Sequence, residues 1–95
     1  MYGVVMHEYM RDYFGEEFIF VYGNTKKEAG VNAWKKLETE LGEDIDELEL
    51  DDFKLTKAAF INHLIANENL DDGVLISEPA IIYAKLFKTP EQKQN

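Results

Sequence analysis

The chain has 95 residues, of which 45% are hydrophobic, enough for one domain with a core of its own. Its 19 acidic and 10 basic side chains give a formal net charge of −9, which argues against simple binding to nucleic acid or anionic membranes because such binding depends on clustered lysine and arginine. The absence of cysteine excludes a disulfide framework and a thiolate metal site.

The N-terminus lacks the basic segment and apolar run of a secretory signal peptide. The longest apolar run, near residues 80–84, is far shorter than the roughly 20 residues that a membrane-spanning helix needs. We therefore expect a soluble cytoplasmic protein that does not bind a membrane.

Residues 2–22 have the pattern of an antiparallel β-hairpin. Apolar residues alternate with others through residues 2–10, and residues 18–22 are rich in types that favour strands. Gly15-Glu16 fits a two-residue turn with glycine in the first position. That turn predicts three facing pairs: Tyr13 with Phe18, Arg11 with Phe20, and Tyr9 with Tyr22. One face of the sheet is then aromatic and the other is also partly apolar. We therefore expect helices to cover one face and some other part of the structure to cover the second face.

A helix is predicted over residues 26–41. Thr25 and Glu28 form a capping box, in which both side chains accept hydrogen bonds from free amides at the helix start. Gly42 supplies the stop. The apolar positions follow at helical spacing: Ala29, Ala33, Trp34, Leu37 and Leu41. Gly30 costs this helix up to ~1 kcal/mol relative to alanine, which we attribute to close packing of the helix on the sheet.

Beyond Gly42 the pattern allows more than one structure. Positions 41, 45 and 48 are apolar at helical spacing, whereas Leu48 and Leu50 alternate with acidic residues as in a strand. The sequence therefore does not decide whether residues 43–52 form a helix, a strand or a loop. Another helix is predicted from Thr56. Its apolar side consists of Ala59, Phe60, Leu64 and Ile65. Residues 67–73 are polar turn sequence, and residues 74–76 are predicted to be a short buried strand.

The last element, residues 80–87, is apolar at seven of eight positions, a pattern that periodicity alone does not classify. Ser77, followed by Glu78 and Pro79, has the character of a helix start, and Lys85 and Lys88 lie where a helix dipole favours cations. We predict a helix here, with a strand as the second choice.

These elements predict an α+β fold. An N-terminal antiparallel hairpin and a third short strand form the sheet, and two or three helices pack on it. Residues 1–88 are expected to form a single compact domain, and residues 89–95 a loose polar tail.

The residue types of common catalytic sites are present but not in working arrangements. Ser77, the only serine, lies outside a Gly-x-Ser-x-Gly elbow, and we interpret it as a helix cap. His7-Glu8 begins like a zinc-protease helix, but Arg11 stands where the second histidine belongs. We therefore interpret His7 as a strand residue and His63 as a side chain on the surface of a helix. We predict no enzymatic activity and no cofactor.

One segment partly matches a calcium-binding EF-hand loop. Asn67, Asn69, Asp71 and Glu78 fall at its first, third, fifth and twelfth positions. The first position should be aspartate, and the required glycine comes one residue late, at Gly73. We therefore favour an Asp-Gly turn over a metal site, and predict no bound metal.

The charge of the chain is concentrated in residues 38–52. Nine of these fifteen residues are acidic and none is basic, so the remainder has 10 acidic (19 − 9) and 10 basic side chains. Leu41, Ile45, Leu48 and Leu50 are interleaved, which predicts that the core anchors the segment. One interpretation is a solvated connection between helices, and the other is a surface for a basic partner.

The spacing of these charges favours the second interpretation. A helix of fifteen residues spans ~22 Å, or about one charge per 2.5 Å, against one per ~1.7 Å of duplex DNA axis. A helix would also make Glu40–Asp44 and Glu43–Glu47 like-charged neighbours, each pair costing roughly 0.2–0.5 kcal/mol. An extended chain would place Glu47, Glu49 and Asp51 on one side, about 6.6 Å apart.

We name the candidate binding carboxylates the acidic ridge: Glu40, Glu43, Asp44, Asp46, Glu47, Glu49, Asp51 and Asp52. The leading hypothesis is a protein-binding module, an inhibitor or regulator that presents the acidic ridge to a basic, nucleic-acid-binding protein, with Tyr9 and Tyr13 as anchors. By analogy alone, such a small, acidic, cysteine-free domain is like the phage inhibitors that imitate DNA. The alternative is a nucleic-acid-binding accessory domain that uses the aromatic hairpin face with Arg11, Lys26 and Lys27.

Overall fold

The computed structural model describes residues 1–8, 18–50, 53–68, 74–76 and 82–89. Its helices are α1 (Lys26–Leu41), a 3-10 helix (Gly42–Glu47) and α2 (Lys57–Ala66). Its strands are β1 (Tyr2–Glu8), β2 (Phe18–Gly23), β3 (Glu49–Leu50), β4 (Phe53–Lys54), β5 (Val74–Ile76) and β6 (Ile82–Lys88).

Four of the strands form one antiparallel sheet in the order β2-β1-β6-β5. Val5 of β1 pairs with Phe20 of β2 on one side and with Lys85 of β6 on the other, so the first and last strands of the sequence meet at the middle of the sheet. β3 and β4 form a separate two-stranded ribbon. This architecture confirms the α+β class, the N-terminal antiparallel strand pair and the strand at residues 74–76.

The predicted register of the N-terminal strand pair is wrong by six residues. Phe18, Phe20 and Tyr22 pair with His7, Val5 and Gly3, not with Tyr13, Arg11 and Tyr9. The prediction assumed a two-residue turn, but residues 2–8 of β1 must also pair with β6, which fixes them between two neighbours. Because the shift is an even number, each side chain of β2 keeps its predicted face. The turn at Gly15-Glu16 lies outside the described residues.

Helix α1 has the predicted bounds and caps. The Thr25 hydroxyl accepts a hydrogen bond from the Glu28 amide at 3.0 Å, and the Glu28 carboxylate accepts one from the Asn24 amide at 2.6 Å. The second bond reaches one residue further back than in a standard capping box. At the other end Gly42 has a positive φ of 57°, and its amide donates to the Glu38 carbonyl.

The core lies between α1 and one face of the sheet. All five predicted apolar positions of α1 are buried. On the sheet, β1 and β6 contribute the buried side chains Val4, Met6, Ala84 and Leu86. These positions alternate along their strands, as expected for a sheet that is covered by helices on one side.

Helix α2 packs against α1 and against β5 and β6 of the sheet. Thr56 caps it, and Phe60 and Leu64 are buried as predicted, together with Ile61, which the sequence pattern did not identify. The rings of Trp34 and Phe60 lie 5.4 Å apart at a tilt of 51°. A methyl group at Gly30 would lie 3.1 Å from a side-chain carbon of Ile61, so Gly30 permits close packing of α1 on α2, and not on the sheet as predicted.

The prediction of a C-terminal helix is wrong. Residues 82–88 form β6, which pairs with β1 along one edge and β5 along the other. Ala84 and Leu86 face the core, whereas Lys85 and Phe87 are half-buried on the opposite face. A strand paired on both edges satisfies its backbone through its neighbours, and that tertiary gain outweighs the local helix-start signal. Lys85 and Lys88 therefore do not sit at a helix end, and Ser77 lies outside the described residues.

Thr89, the first residue of the predicted tail, is hydrogen-bonded to the N-terminal residue. The amide and the hydroxyl of Thr89 both donate to the carbonyl of Met1, at 3.0 and 2.9 Å. Residues 90–95 lie outside the described residues. Neither α-helix of the described part is long and apolar enough to cross a membrane.

Candidate functional site

The described backbone of the acidic ridge passes through three kinds of secondary structure. Glu40 lies in the last turn of α1, residues 42–47 form the 3-10 helix, and Glu49 begins β3. A 3-10 helix has three residues per turn, so side chains three apart lie above one another. Glu43 therefore stands over Asp46, while Ile45 is aligned with Leu48 just beyond the helix end.

Apolar residues hold this segment on the domain, as the sequence predicted. Leu41 and Leu48 are buried, Leu48 with only 1% of its surface exposed, and Ile45 packs against the core from the edge. The Leu48 amide donates to the Ile45 carbonyl at 3.3 Å, and the Leu48 carbonyl accepts from the Leu55 amide at 2.9 Å. The side chain of Leu50 lies outside the described part. The intervening acids are thus carried on an anchored backbone.

The described carboxylates of the ridge divide into two groups. Glu43, Glu47 and Glu49 are exposed and form no ion pair within the described part of the chain. Glu40 lies 3.1 Å from the Lys36 ammonium, one helical turn earlier. Asp46 lies 3.5 Å from the Lys54 ammonium, with 75% and 63% of the two side chains exposed. The chain thus supplies counterions for two ridge carboxylates and leaves the other three facing solvent.

Lys54 is a ridge neighbour that the sequence pattern did not identify. It lies in β4, directly opposite Glu49 of β3, in the two-stranded ribbon. Cross-strand neighbours of opposite charge attract one another, but the Lys54 ammonium lies within ion-pair distance of Asp46 and not of Glu49. Lys54 follows the acidic stretch in the sequence, and the antiparallel pairing of β3 with β4 brings it back beside the ridge.

The spacing of the charges lies between the ~2.5 Å expected for an α-helix and the ~6.6 Å expected for an extended chain. At a rise of roughly 2.0 Å per residue, the 3-10 helix is about 12 Å long and carries four acids, or about one per 3 Å. The predicted like-charged pairs four residues apart, Glu40–Asp44 and Glu43–Glu47, assumed an α-helix and do not apply here. In the 3-10 helix, Glu43 and Asp46, three residues apart, are aligned instead. Asp51 and Asp52, and the side chain of Asp44, lie outside the described part.

The outer face of the sheet carries the aromatic residues of β2. Phe20 and Tyr22 are 53% and 48% exposed, and Val5 and Phe87 lie half-buried on the same face. Tyr9, Tyr13 and Arg11, which were predicted to share this face, lie outside the described residues. The Tyr22 carbonyl accepts a hydrogen bond from the Asn32 side chain of α1 at 2.7 Å, which occupies part of the free edge of β2.

Lys26 and Lys27 do not join the aromatic face. They begin α1, which packs on the opposite side of the sheet. The Lys26 ammonium lies 2.7 Å from the Glu68 carboxylate and 5.8 Å from the ring centre of Tyr2. The hydrogen bond and charge of Glu68 raise the pKa of Lys26 above its ordinary value. The arrangement required by the nucleic-acid hypothesis is therefore not formed by these two lysines.

No cluster of three or more potential metal ligands occurs among the described residues. Asn67 ends α2, where its side chain donates to the His63 carbonyl at 2.8 Å. The other residues of the calcium-like loop, Asn69, Asp71 and Glu78, lie outside the described residues. His63 is exposed on α2, as predicted, and His7 belongs to β1.

Comparison of the chain with protein-family models, with curated proteins and with solved structures finds no match.

Proposed function

We propose that this protein is a binding module that presents its acidic ridge to a basic protein. The observation that carries the proposal is the combination of an anchored backbone with outward carboxylates. Leu41 and Leu48 hold the segment on the core, and Glu43, Glu47 and Glu49 remain exposed without an ion pair in the described part. Charges on an anchored backbone lose less conformational entropy on binding than charges on a free tail.

The chemistry of such a surface favours lysine- and arginine-rich partners. Clustered carboxylates speed the encounter with a positive surface and discriminate against negative ones. A spacing of about one charge per 3 Å is close to the ~3.4 Å per charge of a single DNA strand, and about half the density of the duplex. We therefore infer that the partner is itself a nucleic-acid-binding protein, and that this module inhibits or regulates it by occupying its basic groove.

The two groups of ridge carboxylates are expected to contribute unequally. Asp46 and Glu40 already have counterions in Lys54 and Lys36, so a partner gains less by pairing with them. Glu43, Glu47 and Glu49 have no such pair, and each new exposed ion pair contributes roughly 0.2–1 kcal/mol. Neutralising all three should thus weaken binding by roughly 0.6–3 kcal/mol, with the larger value at low salt.

The test is a comparison of three immobilised proteins exposed to the same cell lysate. They are the wild type, a ridge variant (Glu43→Gln, Glu47→Gln, Glu49→Gln) and a control variant that loses the same charge outside the acidic sequence of residues 38–52 (Glu16→Gln, Glu17→Gln, Asp71→Asn). We expect basic proteins to be retained by the wild type and the control, eluted by salt, and displaced by added duplex DNA. The ridge variant should retain them poorly.

Two results would contradict the proposal. One is retention of the same proteins by the ridge variant and the wild type at every salt concentration. The other is equal loss of binding in the control variant, which would show that net charge alone, and not the anchored ridge, attracts the partner.

A simpler assay distinguishes the acidic-ridge proposal from the hypothesis of a nucleic-acid-binding domain. A gel-shift titration with single-stranded RNA and DNA at low salt should show no complex if the acidic ridge dominates the surface. A shift that disappears on replacing the exposed aromatic residue Tyr22 by serine would instead support binding through the aromatic sheet face.

A further inference from the structure

A groove of about 550 Å³ runs between the two α-helices, away from the acidic ridge. From α1 it is lined by Lys27 and Val31. From α2 it is lined by Lys57, Ala58, Ile61, Asn62 and Ile65. Its floor is thus aliphatic, with one amide and two ammonium groups.

The groove has a direction that the helix contacts define. Lys26 pairs with Glu68 just beyond the end of α2, and Gly30 lies against Ile61 in the middle of α2. The two helices therefore run antiparallel along the groove. Lys27 lies toward the C-terminal end of α2 and Lys57 at its N-terminal end, and residues 57 and 65 are separated by about 12 Å along the helix axis.

Neither lysine of the groove, Lys27 or Lys57, forms an ion pair within the described part of the chain, in contrast to Lys26, Lys36 and Lys54. Both lie in the first turn of a helix, where the helix dipole disfavours a cation. The first turn of α2 contains no acidic residue that would offset this. An anion bound at Lys57 would gain from the ammonium and from the helix dipole together.

The size of the groove indicates a small ligand rather than a protein. Small-molecule sites typically have volumes of ~300–1,000 Å³, an apolar lining and a few polar groups that orient the ligand. A stable protein interface instead needs ~20–30 residues on each side, far more than the seven that line this groove.

We propose that this groove binds a small anionic amphiphile, such as a medium-chain fatty carboxylate. Its apolar chain lies on Val31, Ile61 and Ile65, and its head group is at Lys57. The proposal is independent of the acidic ridge and of any partner that the ridge binds. Lys27 lies at the far end of the groove and contributes mainly through its aliphatic stem.

The experiment is an NMR titration of the full chain with hexanoate, octanoate and decanoate, each below its micelle concentration. We expect saturable shift changes at Val31, Ala58 and Ile61, with the Kd falling about two- to fourfold for each added methylene, as for a half to fully buried CH₂ group. Decylamine, which has the same chain and the opposite charge, should bind more weakly than decanoate.

Matched variants locate the head group. Lys57→Gln should raise the decanoate Kd by up to about fivefold, the size of an exposed ion pair, and Lys27→Gln by less. Lys35→Gln removes the same charge from an exposed site on α1 outside the groove and should leave the Kd unchanged. Ala58→Glu, at an exposed position where an acid suits the helix dipole, should keep the fold and weaken binding most.

Several outcomes would overturn the proposal. Shift changes that do not saturate, or that centre on Phe20 and Tyr22 of the sheet face, would place the ligand elsewhere. Equal Kd values for Lys57→Gln and Lys35→Gln, or for decanoate and decylamine, would remove the role of Lys57. A wild-type dimer that Ala58→Glu converts to a monomer in sedimentation would show that a second copy of the chain covers the groove.

Discussion

Replacing Gly42 by L-alanine or by D-alanine tests the backbone conformation that joins the acidic ridge to α1. Gly42 has φ 57° and ψ −126°, the angles of the first central residue of a type II′ turn. The Cβ of an L-residue there would meet no atom within 4 Å. The effect of introducing L-alanine is therefore a backbone effect, free of steric clashes with neighbouring residues.

The two enantiomers should change stability in opposite directions. L-Alanine in this region of φ and ψ costs roughly 1–3 kcal/mol, offset by ~0.4–1 kcal/mol from the lower entropy of its unfolded chain. We expect a net loss of ~1–2 kcal/mol, or a Tm lower by roughly 4–15 °C for a domain of this size. D-Alanine is unstrained at these angles and keeps the entropic gain, so it should stabilise by ~0.4–1 kcal/mol.

Urea denaturation of the three proteins, with the D-alanine form assembled by chemical ligation, measures these differences. The unfolding slope m should be the same in all three, since the folded contacts do not change. Gly42→Asn provides a further check. Asparagine tolerates the left-handed helical region but not these angles, so it should be destabilised like L-alanine. Equal stability of the L- and D-alanine proteins would refute the assigned conformation.

Three further predictions concern the core, the ridge and the ion pairs. In Gly30→Ala, the methyl group pressing on Ile61 costs ~1–3 kcal/mol and the better helix propensity of alanine offsets up to ~1 kcal/mol, so we expect a net destabilisation of up to ~2 kcal/mol. Combined with Ile61→Ala in a double-mutant cycle, the change should cost less or stabilise; additive effects would argue against this contact. Leu48→Ala should cost ~2–5 kcal/mol in urea denaturation, since Leu48 is buried under the ridge, and a loss below ~1 kcal/mol would show that the ridge is not anchored there. The pKa of Lys26 is raised on folding, so its ion pair with Glu68 stabilises the protein at pH values below about 10.5, and this contribution is lost as the pH rises above 10.5 through the folded-state pKa. The Lys26→Gln variant should therefore lose less stability than the wild type between neutral and strongly alkaline pH. Parallel curves of stability against pH for the two proteins would contradict the assignment.

The ridge and the groove present opposite chemistry on one small domain. The ridge gathers carboxylates around the 3-10 helix, whereas the groove has an aliphatic floor with Lys27 and Lys57. A formal charge of −9 describes the chain as a whole, but it conceals this division. A ligand in the groove therefore meets a local surface whose charge is opposite in sign to the net charge of the chain.

The elements whose signals are local could be predicted from the sequence. The capping box at Thr25 and Glu28, the apolar spacing of α1 and the glycine at position 42 all act within one helix, and α1 has the predicted bounds. The interleaved apolar residues also predicted that Leu48 would be buried in the core. These features depend on neighbours a few residues away, which a pattern in the sequence records directly.

Tertiary structure alone decided the features that depend on distant parts of the chain. Residues 82–88 became a strand because β1 and β5 pair with both of their edges, and the same pairing with β6 fixed the register of the N-terminal strands. The contact of Gly30 with Ile61, the ion pair of Asp46 with Lys54 and the groove between the helices likewise join residues that are separated along the chain. Such contacts arise from packing and pairing between elements, which local periodicity does not encode.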